Sequence, residues 1–141
     1  MAQAGQVIRG ANGFALRLIR TGAETGGELL EMEATWGGDG RLPPEHLHPS
    51  QNERFEVLEG AVRTLSDGTD GRYEVGEIFE VPAGTVHQMT GDGPARVRWE
   101  VRPALRTAEF FERLYDGATQ DDFAAFLEEF RDEIRFSAAR D

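Results

Sequence analysis

The chain has 141 residues, 39% hydrophobic and 29% charged, with a formal net charge of −11. That length suits one ordinary domain with a real core, and no apolar run nears the ~20 residues of a membrane-spanning helix. The acidity argues against nonspecific nucleic-acid binding, which needs a basic surface, and the lack of cysteine excludes disulfides and thiol nucleophiles.

All fifteen basic residues are arginine, so Schiff-base chemistry through a lysine amine is excluded. The serines Ser50, Ser66 and Ser137 lie outside any G-x-S-x-G elbow, which argues against a hydrolase of that type. The opening MAQAGQVIRG has neither the basic nor the apolar region of a secretory signal, so a cytoplasmic location is expected.

Residues 1–103 read as short strands broken by Gly, Pro and Asp. Phe14, Leu16 and Leu18 alternate with Ala15, Arg17 and Ile19, the period of a half-buried strand. TGAETGG is then a glycine-rich turn. Leu30, Met32, Ala34 and Trp36 share one face of a second strand, opposite Glu31, Glu33 and Thr35. Phe55 and Val57 continue an inward pattern that starts at Glu53. Ala61–Leu65 and Arg72–Val75 flank SDGTDG, a hairpin connection. Val97, Trp99 and Val101 alternate with arginines and Glu100. Closely spaced strands of this kind predict an antiparallel sandwich or barrel.

After Pro103 the period becomes helical. Thr107 is the expected cap of a short helix carrying Phe110, Phe111 and Leu114, ended by Asp116-Gly117. Thr119 is the expected start of another, with Asp122 as its capping-box acid. Phe123, Phe126, Leu127, Phe130 and Ile134 follow as one apolar stripe, which reads as core or interface. The expected division is a barrel over 1–103 and a helical extension over 104–141.

The chain's chemistry concentrates in its three histidines. His46 and His48 form a His-x-His pair, Glu53 follows, and His87 comes 34 residues after Glu53. Residues i and i+2 of a strand point the same way, so His46 and His48 can both face inward. The odd step from His48 to Glu53 would reverse its face, unless Pro49–Asn52 supplies a turn or bulge. Three imidazoles and a carboxylate make a first shell for a divalent transition metal: Mn, Fe, Co, Ni, Cu or Zn. Gln51, Tyr73, Gln88, Trp36 and Trp99 are candidates to line the pocket or orient the ligands. Met89 is expected in the cavity wall. Arg54 and Arg63 are weaker candidates for meeting an anionic substrate.

Two segments carry a family resemblance. Gly40-RLPPE-His46-L-His48-PSQN-Glu53-RFEVLE-Gly60 fits G-x5-H-x-H-x(3,4)-E-x6-G at every fixed position. Gly76-EIFEV-Pro82-A-Gly84-TV-His87-QMT-Gly91 fits G-x5-P-x-G-x2-H-x3-N as far as His87, with Gly91 in place of the final Asn. These resemble the two signature motifs of the cupin family. The resemblance implies a mainly β fold, a jelly-roll barrel here followed by two C-terminal helices. It also implies His46, His48, Glu53 and His87 as metal ligands, and a homodimer. The Asn-to-Gly departure is expected at a turn beyond the metal ligand.

One barrel hosts many reactions. The first expectation, by similarity to quercetinase-like cupins, is a metal-dependent dioxygenase of a small organic molecule, with Glu53 as ligand and base. The alternatives are a metal-dependent isomerase or lyase, and a non-catalytic small-molecule binder. Neither nucleic acid nor a membrane is an expected partner.

Overall fold

A computed structural model describes residues 2–38, 41–116 and 122–136. The expectations placed on Gly40, Gly117 and Thr119 lie outside the described residues. Eleven strands are described: β1 Val7–Arg9, β2 Ala15–Arg20, β3 Leu30–Trp36, β4 His46–Leu47, β5 Asn52–Glu59, β6 Ala61–Ser66, β7 Thr69–Glu74, β8 Ile78–Val81, β9 His87–Gly91, β10 Ala95–Arg102 and β11 Arg135–Phe136. Helix α1 is Gly22–Thr25, α2 is Thr107–Leu114 and α3 is Phe123–Glu129. No helix among the described residues is long and apolar enough to cross a membrane.

The strands form two antiparallel sheets. One has the order β1-β2-β3-β10-β5-β8, the other β11-β4-β9-β6-β7. Alternation in the sequence decides which side chains enter the space between them. Leu16, Leu18, Leu30, Met32, Ala34, Phe55, Val57, Val97 and Val101 are all buried. Their partners Arg17, Arg20, Glu33, Arg96 and Arg98 form ion pairs on the outer face of the larger sheet. The hairpin β6–β7 turns tightly at Asp67-Gly68, with Ser66 paired to Thr69. It is tighter than the flanking apolar runs suggest, because pairing continues through polar residues.

Three local expectations are corrected. The TGAETGG segment is not only a turn, since it contains α1. Glu24 accepts hydrogen bonds from the Thr21 amide at 2.7 Å and hydroxyl at 3.0 Å, which satisfies the helix start. Thr107 is the first helical residue and not the cap, which is Arg106. In the second helix Asp122 is itself the cap, accepting from Ala125 N at 3.0 Å.

The apolar stripe is buried differently from a single helix face. Helix α3 stops at Glu129. Phe126, Phe130 and Ile134 are nevertheless all buried, the last two reached through turns, while Phe123 stays exposed. Phe110 stacks on Phe126 at 5.2 Å, and Phe111 meets Trp99 edge-on at 5.5 Å. Each such burial contributes roughly 1.5–3 kcal/mol, and the stripe is mostly satisfied against α2 and the barrel. The chain then returns as β11, adding a strand beside β4 with Phe136 opposite His46.

The β5–β6 connection turns at Gly60, whose φ is +69° and where a Cβ would overlap the Pro94 carbonyl oxygen. Left-handed backbone costs a non-glycine residue about 1–3 kcal/mol before any clash. Gly60→Ala is therefore expected to destabilise the fold by at least that much, read as a lowered urea midpoint.

Candidate metal centre

Four elements deliver the site. His46 is the first residue of β4 and pairs directly with His87, the first residue of β9. His48 follows β4, and Glu53 points inward from β5. The turn after Pro49 restores Glu53 to the inner face, as its odd spacing requires. The nitrogen donors of His46, His48 and His87 lie within 4.8 Å of one another, so these three can hold a metal ion.

The imidazoles are fixed from behind. Nδ1 of His46 lies 3.1 Å from Pro44 O, Nδ1 of His48 2.8 Å from Glu133 O, and Nδ1 of His87 2.9 Å from Thr85 O. A carbonyl only accepts, so each Nδ1 carries the proton and donates it. Each Nε2 of a neutral ring is then a lone pair. Glu53, only 1% exposed, faces these lone pairs. Its Oε1 is 3.0 Å from His87 Nε2 and its Oε2 is 3.3 Å from His48 Nε2. Trp99 Nε1 donates to Oε2 at 2.9 Å.

The fit to a cation can be read from these atoms. His48 Nε2 and Glu53 Oε1 are fully buried and make no hydrogen bond. His48 Nε2 faces Glu53 Oε2 and Glu53 Oε1 faces His87 Nε2; an acceptor facing an acceptor in a buried site requires a positive charge between them, either a proton or a metal. The donor set of nitrogens and one carboxylate suits a first-row divalent ion.

Burial, reinforced by His87 and His48, pushes His46 down to about 4. Burial opposes the Glu53 carboxylate, but His48 and then His87 outweigh it and hold the acid below its ordinary value. Burial also opposes protonation of His87, and the Glu53 carboxylate overcomes it, holding that imidazole above its ordinary value.

The other expected residues divide. Trp36 and Met89 line the same cavity as the histidines. Trp99 orients Glu53. Gln51 is buried but serves elsewhere, donating to Pro103 O at 2.9 Å, Ala104 O at 3.1 Å and Thr107 Oγ1 at 2.8 Å. Tyr73 stacks on Phe79 at 4.1 Å, and Gln88 donates to Pro43 O at 2.7 Å; neither lines the cavity. Arg54 pairs with Glu100 at 3.6 Å, and Arg63 lines a different depression with Arg72 and Asp70. Gly91 ends β9 and is not in a turn. A Cβ there would sit 2.7 Å from Gly93 O and 2.8 Å from Trp36 Cβ, so close packing requires the glycine. The Glu133 carbonyl and Phe136 belong to the site region without having been singled out, and Ile134 joins it from the apolar stripe. A backbone carbonyl has no side-chain signature, and an apolar stripe does not say which cavity it borders.

Metal binding needs neutral imidazole. With its pKa raised, metal-free His87 is mostly protonated at about pH 6.5, the ordinary histidine value, whereas His46 is neutral there. Loading Zn²⁺ at about that pH is expected to release more than about half a proton per ion from His87. The release fades as pH rises through the folded pKa of His87. Calorimetry in buffers of different ionisation enthalpy reads this, and zero release at the lower pH would remove His87 from the ligand set.

Comparison with known proteins agrees with this geometry. Residues 34–101 match the family described as Cupin domain. Quercetin 2,3-dioxygenase of Bacillus subtilis (strain 168) is 28% identical over 87 residues. That match covers 62% of this chain and 26% of the relative, so the chain spans about a quarter of the curated protein it matches. Among solved structures, an RmlC-like cupin from Shewanella frigidimarina has a TM-score of 0.62 at 17% identity, covering 73% of this chain and 87% of that one. KdgF from Halomonas sp. has a TM-score of 0.61 at 18% identity, covering 70% and 86% respectively. Two antiparallel sheets with three inward histidines between them, and the Cupin domain match over 34–101, give this chain the fold of a small single-domain cupin.

Proposed function

We propose that this chain is a metal-dependent dioxygenase of a small, largely apolar aromatic molecule carrying a chelating oxygen group. One observation carries the reading: the three histidines and Glu53 lie in a cavity of about 660 Å³ whose walls are mostly apolar, including Phe14, Trp36, Phe111 and Tyr115. A polyhydroxylated substrate would leave its hydroxyls unpaired against such rings, whereas a flat aromatic one would bury its faces on them. The distant resemblance to a quercetin dioxygenase supports the same reaction class.

His46, His48, Glu53 and His87 would hold the ion, which is Mn, Fe, Co, Ni, Cu or Zn by donor type. When bound, it supplies Lewis acidity toward a chelating substrate and, for a redox-active metal, chemistry with O2. The histidines orient that group through their fixed tautomers. The aromatic walls exclude water and hold the substrate in one plane. Glu53 is anionic at neutral pH, and Trp99 occupies its Oε2. Its Oε1 is then the atom to take a proton from a substrate hydroxyl.

The test is oxygen uptake by protein reconstituted with each metal, using 3-hydroxyflavone and other enolisable aromatic chelators. Uptake that requires both metal and chelator is expected. Glu53→Gln should reduce it by about 10²–10⁴-fold, the range for a lost general base. Turnover without O2 would favour the isomerase or lyase reading, and binding without turnover the non-catalytic one.

We also propose a homodimer in solution. The C-terminal stripe no longer demands a partner, but Val75 and Ile78 are exposed beside β8, an edge strand of the larger sheet. Light scattering on the full chain should give twice the monomer mass, and a monomer would reject the assembly.

A further inference from the structure

His46 and His87 take their Nδ1 acceptors from carbonyls two residues back in their own segments. His48 alone takes its acceptor from far away, the carbonyl of Glu133, 85 residues along the chain. His48 is also deeply buried, at 5% exposure, so no water competes for that bond.

Glu133 is itself held at several points. Its amide donates to Phe130 O at 2.9 Å. Its carboxylate, on a residue only 5% exposed, accepts the Arg106 amide at 3.1 Å, the amide at the cap of α2. The Arg106 side chain lies over the Phe130 ring at 4.6 Å and donates to Glu129 at 2.9 Å, closing a loop of contacts around the same turn. From the other side, Gln51, in the turn between His48 and Glu53, grips the start of α2 through Pro103, Ala104 and Thr107. Glu133 is thus held through both its amide and its carboxylate.

We infer that Glu133 is a positioning residue of the metal centre: its main-chain carbonyl fixes His48 with Nε2 toward Glu53, and its buried carboxylate, bound to the Arg106 amide, sets where that carbonyl lies. The inference rests on reading the three histidines as a metal site, but its first consequence is visible without metal. The wild-type His48 ring is a single Nδ1–H tautomer. Removing the carboxylate frees the carbonyl to shift, and the ring then samples both tautomers. The Nε2–H tautomer puts a proton where the ion must bind.

The test uses Glu133→Ala, Glu133→Gln and Glu129→Ala in the full chain. Gln retains an oxygen for the Arg106 amide. Glu129→Ala breaks the neighbouring contacts to Arg106 and Arg113 without touching Glu133. Long-range ¹H–¹⁵N imidazole spectra of metal-free protein at alkaline pH should show mixed tautomers for His48 only in Glu133→Ala, with His46 and His87 unchanged. Zn²⁺ affinity, from chelator competition, should fall about 10–100-fold in that variant, the usual cost of a lost orienting partner. It should return to wild type in Glu133→Gln and stay there in Glu129→Ala. If Glu133→Ala does not fold, Glu133→Asp, which shortens the reach, carries the same two expectations. Wild-type tautomer or wild-type affinity in the alanine or aspartate variant overturns the proposal alone. Wild-type protein that binds no Zn²⁺ overturns the metal reading and this proposal with it.

Discussion

Three imidazole lone pairs and a carboxylate are buried against one another, and acceptors so placed repel unless a cation joins them. Each Nδ1 is occupied by a backbone carbonyl, so no ring can relieve the conflict by turning its other nitrogen inward. The remaining architecture can be understood as what holds that arrangement. The β4–β9 pairing sets His46 beside His87. A short turn brings Glu53 back to the inner face. Trp99, braced by Phe55 and Phe111, holds one carboxylate oxygen so that the other faces the histidines.

Much of this was legible in the chain because its signals are side-chain signals. Histidine is rare here, with three in all, and each stands at a motif position. The alternation of β3, β5 and β10 identifies their inward residues without reference to any neighbour. The helical region was read less well for a physical reason. Periodicity records which positions are apolar, not what covers them. Phe130 and Ile134 continue the stripe of α3 but are buried through turns leading to β11, because Glu133 and Phe136 are drawn toward His48 and His46. Gln51 was recognised as polar and central, yet its partners lie 52 to 56 residues away. Nothing local distinguishes a pocket ligand from a clasp between segments. Tyr73 has the chemistry of a pocket residue, and only the stacking on Phe79 shows that it is packing.

The two faces of the larger sheet divide the work between them. Outside, Glu31 meets Arg20 and Arg98, while Glu33 meets Arg17 and Arg96. The arginines stay partly exposed while Glu31 is buried beneath its two partners, so these pairs keep a buried carboxylate from being left without a partner. Inside, the aliphatic layer carries the fold beside the aromatic cavity. The same strands therefore present an ionic surface to water and an apolar surface to a ligand. The switch occurs at every residue because the strand period is two.

The return of the chain as β11 has a consequence for the order of assembly on the ribosome. Strand β4 lies between β9 and β11, and the acceptor for His48 comes from residue 133. A nascent chain can pair β4 with β9 once residue 91 has emerged, but His48 keeps an unfixed ring until the C-terminal segment follows. A domain folds as a unit, and the His48 ring is fixed only once residue 133 has joined it. An early-arriving ion would meet two oriented imidazoles and one still free to rotate. The oriented His48 ring is thus a record that the C-terminal segment has docked.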